Sequence, residues 1–243
     1  MNRTRISTAT IALCALLPLS ACAGGAEEQN DAAISVENCG DTVTFDEAPQ
    51  RVTLLDNPSV STLAALDVLD RVTAKAGLYP TEYYAPDVAE KLEEIPTLTD
   101  QVDTSGHLQI SRETVVATDP DLVIGSSDTV NRQTLGANGI PLLDEPAFCG
   151  SLSGEVTFED AYDQVRLYGS VFGREETAEA HIQELKDRVD AVMADVPDSE
   201  DRTVAVLFPT PGSSVTYAYG TGSMSYPLVR AAGLESVFAG QTE

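Results

Sequence analysis

The sequence predicts an α/β fold: two Rossmann-like lobes joined by one long connecting helix, the second lobe incomplete. Three observations predict it. Short apolar strands alternate with helical segments over residues 40–150, the signature of a mainly parallel sheet. The longest helical periodicity follows, from Phe158 to about Val196, interrupted only at Gly169 and Gly173. Strand signals then return at Thr203, after an acidic turn, and the chain reaches Glu243 with only the start of a second sheet in place.

The elements follow in order. Residues 22–38 read as a polar, flexible tether. Thr42 to Phe45 alternates as a strand that Pro49 ends, and Arg51 to Leu55 is a buried strand. Asp56-Asn57-Pro58-Ser59 forms a turn and caps a helix from about Val60 to Leu69, with Leu63, Leu66 and Leu69 on one face. A strand is expected over Val72 to Leu78, a helix over Pro86 to Glu94, and a helix begun by Ser111-x-x-Thr114 that stops near Thr118. Asp119-Pro120-Asp121 turns the chain into the strand Leu122 to Gly125. A helix near Val130 to Ala137 and a strand Ile140 to Leu143 complete a first lobe over 39–157. The connecting helix takes 158–196. A partial second lobe over 197–243 holds strands Thr203 to Phe208 and Val215 to Tyr219 and a helix Tyr226 to Ala232 that stops at Gly233.

Composition narrows the partners. Hydrophobic content of 42% with 22% charged residues describes a globular chain. The net charge of −25 repels nucleic acid and anionic lipid headgroups, which excludes both as partners of the folded surface. Of four cysteines, Cys39 and Cys149 fall in the folded part. They either pair or stand as two buried thiols. In an oxidising compartment pairing is expected, closing a loop of about 110 residues for about 4–5 kcal/mol of lost denatured-state entropy. The acidic runs Glu93-Glu94 and Asp195 to Asp201 read as solvated turns and helix ends without calcium-loop spacing.

The N-terminus carries an address. Arg3 and Arg5 precede the apolar stretch Ile11 to Leu17, too short to span a bilayer, and Leu19-Ser20-Ala21-Cys22 follows. This resembles a bacterial lipoprotein signal over 1–21, with Cys22 as the first mature residue and the site of lipidation (palmitate). The other reading is an ordinary secretory signal with Cys22 incidental. Either removes Arg3 and Arg5 and leaves −27. The lipoprotein reading puts the protein on the outer face of the cytoplasmic membrane, held there only through its lipid.

Several segments resemble the metal-chelate substrate-binding proteins of ABC importers, a family that includes iron–siderophore, haem and cobalamin receptors. They are Cys39-Gly40 with Thr42 to Phe45, Ala48-Pro49-Gln50-Arg51-Val52, Leu63-Ala64-Ala65-Leu66 with Asp70-Arg71-Val72, the run Leu108 to Ile124, and Gly222-Ser223-Met224 with Ala231 to Leu234 and Val237-Phe238. The resemblance covers roughly residues 38–240. It implies binding without catalysis, a monomer that captures a ferric siderophore between two lobes and delivers it to an ABC permease, with no cofactor or protein-held metal. Haem or cobalamin is the alternative cargo. The glutamate with which this family often docks on its permease has no counterpart at Ser61-Thr62. The resemblance also implies that much of the second lobe lies beyond Glu243.

In open α/β sheets ligands sit beyond the carboxyl ends of the strands. The loops expected there hold Asn57, Ser59, Tyr79, Tyr83, Tyr84, His107 and Ser126 from the first lobe, and Phe208, Tyr217, Tyr219 and Met224 from the second. Tyrosine suits a bulky chelate because it offers an aromatic face and a hydroxyl together, although Tyr217 and Tyr219 alternate in a strand and also fit a core face. His107 is a candidate haem ligand or a loop histidine bonded to backbone. Two histidines are too few for a bare Zn or Mn cage. Lys75, Arg112, Arg132 and Arg230 are the cations near these loops; a neutral or cationic hydroxamate-type chelate needs none of them. An exported α/β hydrolase is the competing class. Gly150-Ser151-Leu152-Ser153-Gly154 places Leu152 where a nucleophile elbow needs serine, and neither a phosphate-loop lysine nor HExxH occurs.

Overall fold

Val36 and Val43 face each other across an antiparallel hairpin of β1 (Ile34–Asn38) and β2 (Asp41–Phe45) that begins the folded chain. The computed structural model describes residues 33–104, 106–196, 202–209 and 215–240. The expected signal over 1–21 and Cys22 lie outside the described residues. The tether expected over 22–38 is corrected at its end, because Ile34 to Asn38 pair with Asp41 to Phe45. The two-residue turn between them holds Cys39 at φ +54° and Gly40 at φ +81°, both left-handed, the geometry whose twist suits a tight hairpin.

Four parallel strands form the main sheet: β3 (Val52–Leu54), β4 (Val72–Lys75), β5 (Leu122–Ile124) and β6 (Leu142–Leu143), in the order β4-β3-β5-β6. Every residue of β3 and β5 is buried, as a strand covered on both faces requires. Alternate side chains serve different cores. Leu122 and Ile124 join Leu63 and Leu66 from the α1 (Val60–Ala65) side, whereas Val123 joins Val115 of α3 (Arg112–Val116) and Leu135 of α4 (Arg132–Gly136). Ser111 caps α3 as expected, its hydroxyl accepting the Thr114 N–H at 3.2 Å. Between β4 and α3, α2 (Pro86–Glu94) ends against Lys75, whose buried ammonium donates to the Leu92 and Ile95 carbonyls at 2.8 and 2.6 Å.

The expected single connecting helix is corrected to a helical hairpin. Helix α5 (Phe158–Phe172) stops at Gly173, which sits at φ +63°. The Arg174 N–H reaches back to the Gly169 carbonyl at 2.7 Å and the Gly173 N–H to Ser170 at 3.4 Å, a Schellman end that satisfies the last carbonyls. Helix α6 (Glu175–Asp195) then returns alongside, so Arg166 meets Glu179 and Lys186 meets Glu159, each at 2.8 Å. The stretch is helical as its periodicity predicts. Its two glycines act differently: Gly173 turns the chain, and Gly169 lets the helices touch.

Beyond α6, β7 (Thr203–Val204) pairs parallel with β10 (Glu235–Ser236), and β8 (Leu207–Pro209) pairs antiparallel with β9 (Thr216–Ala218). The single strand expected over Thr203 to Phe208 is therefore two, because the chain changes partner between Val204 and Leu207. Helix α7 (Tyr226–Ala231) packs on α6, and Gly233 at φ +68° follows it. No helix among the described residues is long and apolar enough to cross a membrane.

A methyl group at Gly169 would lie 2.6 Å from the Ala178 Cβ, across the α5–α6 contact. Gly169→Ala gains about 1 kcal/mol of helix propensity but must push the helices apart, which costs about 1–3 kcal/mol. The expected outcome in urea unfolding is a lower midpoint than wild type. A raised midpoint would show that the hairpin can open without cost.

Candidate ligand-binding site

Parallel pairing brings the carboxyl ends of β3, β5 and β6 side by side: the Leu55 N–H donates to the Ile124 carbonyl at 2.9 Å and Gly125 N–H to Leu143 at 2.8 Å. Residues one or two past the strand ends, Asp56, Ser126 and Asp144, share the wall of one cavity of ≈ 810 Å³ with Asn57, His107 and Phe148. This is where open parallel sheets place their ligands. The Asn57 amide donates to the Leu78 carbonyl at 2.8 Å and ties the β3 turn to the loop after β4. A second cavity of ≈ 350 Å³ adjoins it, lined by Pro58, Thr62, Leu152, Gln164 and Met224 among others. Ala147 and Phe148 line both.

Asp56 is the electrostatic centre. Its Oδ1 is buried without a hydrogen-bond partner. Gly125, at φ +88°, lies so close that a Cβ there would sit 2.9 Å from the Asp56 carboxyl carbon. Glycine at 125 thus serves both the backbone angle and the room for this carboxylate. Burial first, then the nearby Glu145 and Asp144 charges, raises the Asp56 pKa to about 7. Burial likewise raises Glu145, although its carboxylate accepts the Tyr168 hydroxyl at 2.8 Å. Tyr79 donates its hydroxyl to the Asp56 carbonyl at 2.9 Å, and burial pushes its own pKa up.

The sequence-predicted residues scatter around this geometry. Asn57, His107 and Ser126 line the larger cavity and Met224 the smaller. Tyr79 stands behind Asp56. Ser59 is buried at the start of α1, with its hydroxyl unpartnered. Tyr84 packs on the core and Tyr83 is 70% exposed; neither is in the lining of these two cavities. Phe208 and Tyr217 face each other across the β8–β9 pair, both exposed, and the Tyr219 N–H donates to Val206. These three lie outside both linings. His107 sits on an exposed loop, its Nδ1 3.6 Å from the Asp103 carboxylate.

The four candidate cations are occupied elsewhere. Lys75 caps α2, and Arg132 binds Asp41 at 2.7 Å and the Asn38 side-chain oxygen at 2.8 Å. Arg112 pairs with Glu113 and Arg230 with Glu235. Among the described residues no group of three or more His, Cys, Asp or Glu is placed to hold a metal ion. The sequence reading missed Asp144, Glu145 and Phe148 as site residues. The strand-end rule applied to Ile140 to Leu143 finds them, since they are the residues that follow it.

Asp56 makes stability depend on pH. Its native pKa lies above the unfolded value of 3.8, so between the two the native state holds the extra proton. Stability therefore falls as pH rises from about 4 through about 7, by an amount on the order of 3 kcal/mol. The facing groups are Asp144, Glu145, Tyr79 and Tyr168. The expected result for Asp56→Asn is a flatter profile and a more stable protein at pH 8, read by chemical unfolding at pH 5 and pH 8. Identical slopes in both proteins would remove Asp56 as the source.

Known proteins share this architecture. The family described as periplasmic binding protein matches residues 52–243. An ABC-type Fe3+-hydroxamate transport system protein from Saccharomonospora viridis is 44% identical in sequence with a TM-score of 0.78, over 84% of this chain and 70% of that one. A periplasmic binding protein from Veillonella parvula matches at 21% identity and a TM-score of 0.66, over 85% of this chain and 66% of that one. The periplasmic haem-binding protein of Vibrio cholerae matches at 15% identity and 0.56, over 79% and 67%; at these lower identities the likeness is one of fold. A comparison with curated proteins finds no match. With its parallel sheet, its strand-end cavity and a family match over residues 52–243, the chain belongs to the periplasmic binding protein family.

Proposed function

We propose that this protein is the extracytoplasmic solute-binding component of an ABC importer and that its cargo is a ferric siderophore of the hydroxamate class, neutral or cationic. One observation carries the choice of cargo. The larger cavity presents Asp56, Asp128 and Asp144, and no lysine or arginine lines either cavity among the described residues. A multiply anionic catecholate chelate would meet like charge there at close range, whereas a hydroxamate chelate with a protonated amine would find its counter-charge. The 44% identity to the Saccharomonospora viridis protein supports the same class. Binding needs no chemistry on the cargo, so the protein acts as a receptor that hands the chelate to a permease as a monomer. The Leu19-Ser20-Ala21-Cys22 ending supports export and lipid tethering through Cys22. A mature charge of −27 repels anionic headgroups and leaves the lipid as the only membrane contact.

Haem is the second reading, favoured by His107 alone, which lies on the cavity wall with an exposed ring. Intrinsic fluorescence separates the two, because the chain holds eight tyrosines and no tryptophan. The probes are a ferric trihydroxamate bearing a free ammonium, a neutral cyclic ferric trihydroxamate, an anionic ferric tris-catecholate and haemin. Saturable quenching by the trihydroxamates and none by the tris-catecholate is expected. Asp56→Asn should weaken the ammonium-bearing chelate about tenfold and leave the neutral one unchanged. As Asp56 ionises, affinity for the cationic chelate should rise with pH through about 7. Quenching by haemin alone, lost in His107→Ala, would replace the siderophore reading with the haem one.

A further inference from the structure

The loop that follows β6, residues 144–149, supplies Asp144, Ala147 and Phe148 to the larger cavity and Glu145 with Ala147 and Phe148 to the smaller. Phe148 is 67% exposed, so core packing does not fix it. Two consecutive residues of the β1–β2 hairpin, Asn38 at the end of β1 and Cys39 in the turn, hold this loop at both ends. At its start, the Asn38 amide donates to the Asp144 carbonyl at 2.9 Å, and the Asn38 side-chain oxygen accepts the Asp144 N–H at 2.9 Å. That is a two-point grip on one residue's backbone, made by a side chain only 3% exposed. Arg132 fixes the orientation of the Asn38 amide by donating to the same oxygen at 2.8 Å while pairing with Asp41 at 2.7 Å. At the other end, Cys39 is disulfide-bonded to Cys149, with Cα atoms 5.9 Å apart. The left-handed Cys39 and Gly40 set the turn that projects both groups toward the loop.

Stability alone does not ask for this arrangement. A disulfide from the hairpin to any other position at a similar separation in sequence would restrict the denatured chain about as much. This one lands on the residue next to Phe148, and its neighbour grips the residue next to Glu145. We infer that the β1–β2 turn is a clamp on the binding site: Asn38 and the Cys39–Cys149 bond are positioning groups that hold residues 144–149 in the conformation that receives the ligand. The inference rests on the two cavities being the ligand site. Its energetic content is preorganisation: a loop fixed before binding loses no ordering entropy when the ligand arrives.

The test needs a readout of the loop itself as well as of binding. Because the chain has no tryptophan, Phe148→Trp provides a single tryptophan at the clamped position, excited at the red edge of its absorption where the eight tyrosines do not absorb. In that background, Asn38→Ala and the double substitution Cys39→Ser with Cys149→Ser are compared with the intact clamp. Far-UV circular dichroism and thermal melting establish that each variant is folded at the assay temperature. Release of either end should lower the fluorescence anisotropy at position 148 and increase its quenching by acrylamide. Without Phe148→Trp, the same clamp variants should bind the ammonium-bearing ferric trihydroxamate about tenfold more weakly, the cost of ordering a short loop anew. A purely structural role would move the melting temperature and leave anisotropy and affinity as in the intact protein, and that result overturns the inference. If the unmodified protein binds neither trihydroxamate nor haemin, the proposed cargo fails and the anisotropy decides the clamp alone: unchanged values in both variants overturn it. Asn38→Ala retains the disulfide, so it remains informative should the cysteine variant unfold.

Discussion

The pairing of β3 with its two parallel neighbours governs the rest of the molecule. Val52 lies opposite both Val72 and Leu122, and Leu54 lies opposite Ile124. Because side chains alternate faces, this register sends Leu122 and Ile124 to one core and Val123 to the other, and a slip of one residue would exchange them. The same register decides which residues leave the sheet together. Asp56, Ser126 and Asp144 are neighbours only because their strands end at one level. The strand-end cavity is therefore a product of strand registry, and its acidic character comes from Asp56 and Asp144, two and one residues past the ends of β3 and β6, with Asp128 from the loop after β5.

The first lobe was legible in the sequence where local and global signals agreed. Pro86 to Glu94 is helical over the predicted span, because a proline at its start and an isoleucine–proline pair after it mark both ends. The run Leu122 to Gly125 after a turn reads as an apolar strand, and Leu122–Ile124 is a strand whose every residue is buried. Failures came where one signal carried two meanings. Ile34 to Asn38 alternates as a strand does, but its polar residues also fit a tether, and only pairing with β2 distinguishes the two. Glycine in a helical pattern has a similar ambiguity. Gly169 and Gly173 both read as tolerated interruptions, yet one is a contact surface and the other a chain reversal.

The location of the candidate cavity was legible in the sequence and its chemistry less so. The cavity lies among the loops beyond the strand ends, and Asn57, His107 and Ser126 of those loops line it. Tyrosine suits a bulky chelate by residue type alone, whereas nothing in the residue type marks Asp144 or Glu145 as part of the cavity walls. Sequence gives no measure of burial, and burial is what turns Asp56 from a turn-forming aspartate into a group that ionises near neutrality. It is also what turns Lys75 from a candidate anion ligand into a helix cap, since an ammonium 7% exposed must spend its protons on the nearest carbonyls.

The disulfide has a consequence for how the chain matures. Its two sulfurs are separated by 110 positions, and the covalent ring they close contains every strand of the parallel sheet. Thiols so distant meet rarely in a disordered chain, and they are brought together once β3, β5 and β6 have aligned and the loop after β6 has been laid against the first turn. The bond that seals this ring is therefore favoured by assembly, because the aligned strands and the loop after β6 hold the two cysteines at a Cα separation of 5.9 Å, within the range a disulfide spans.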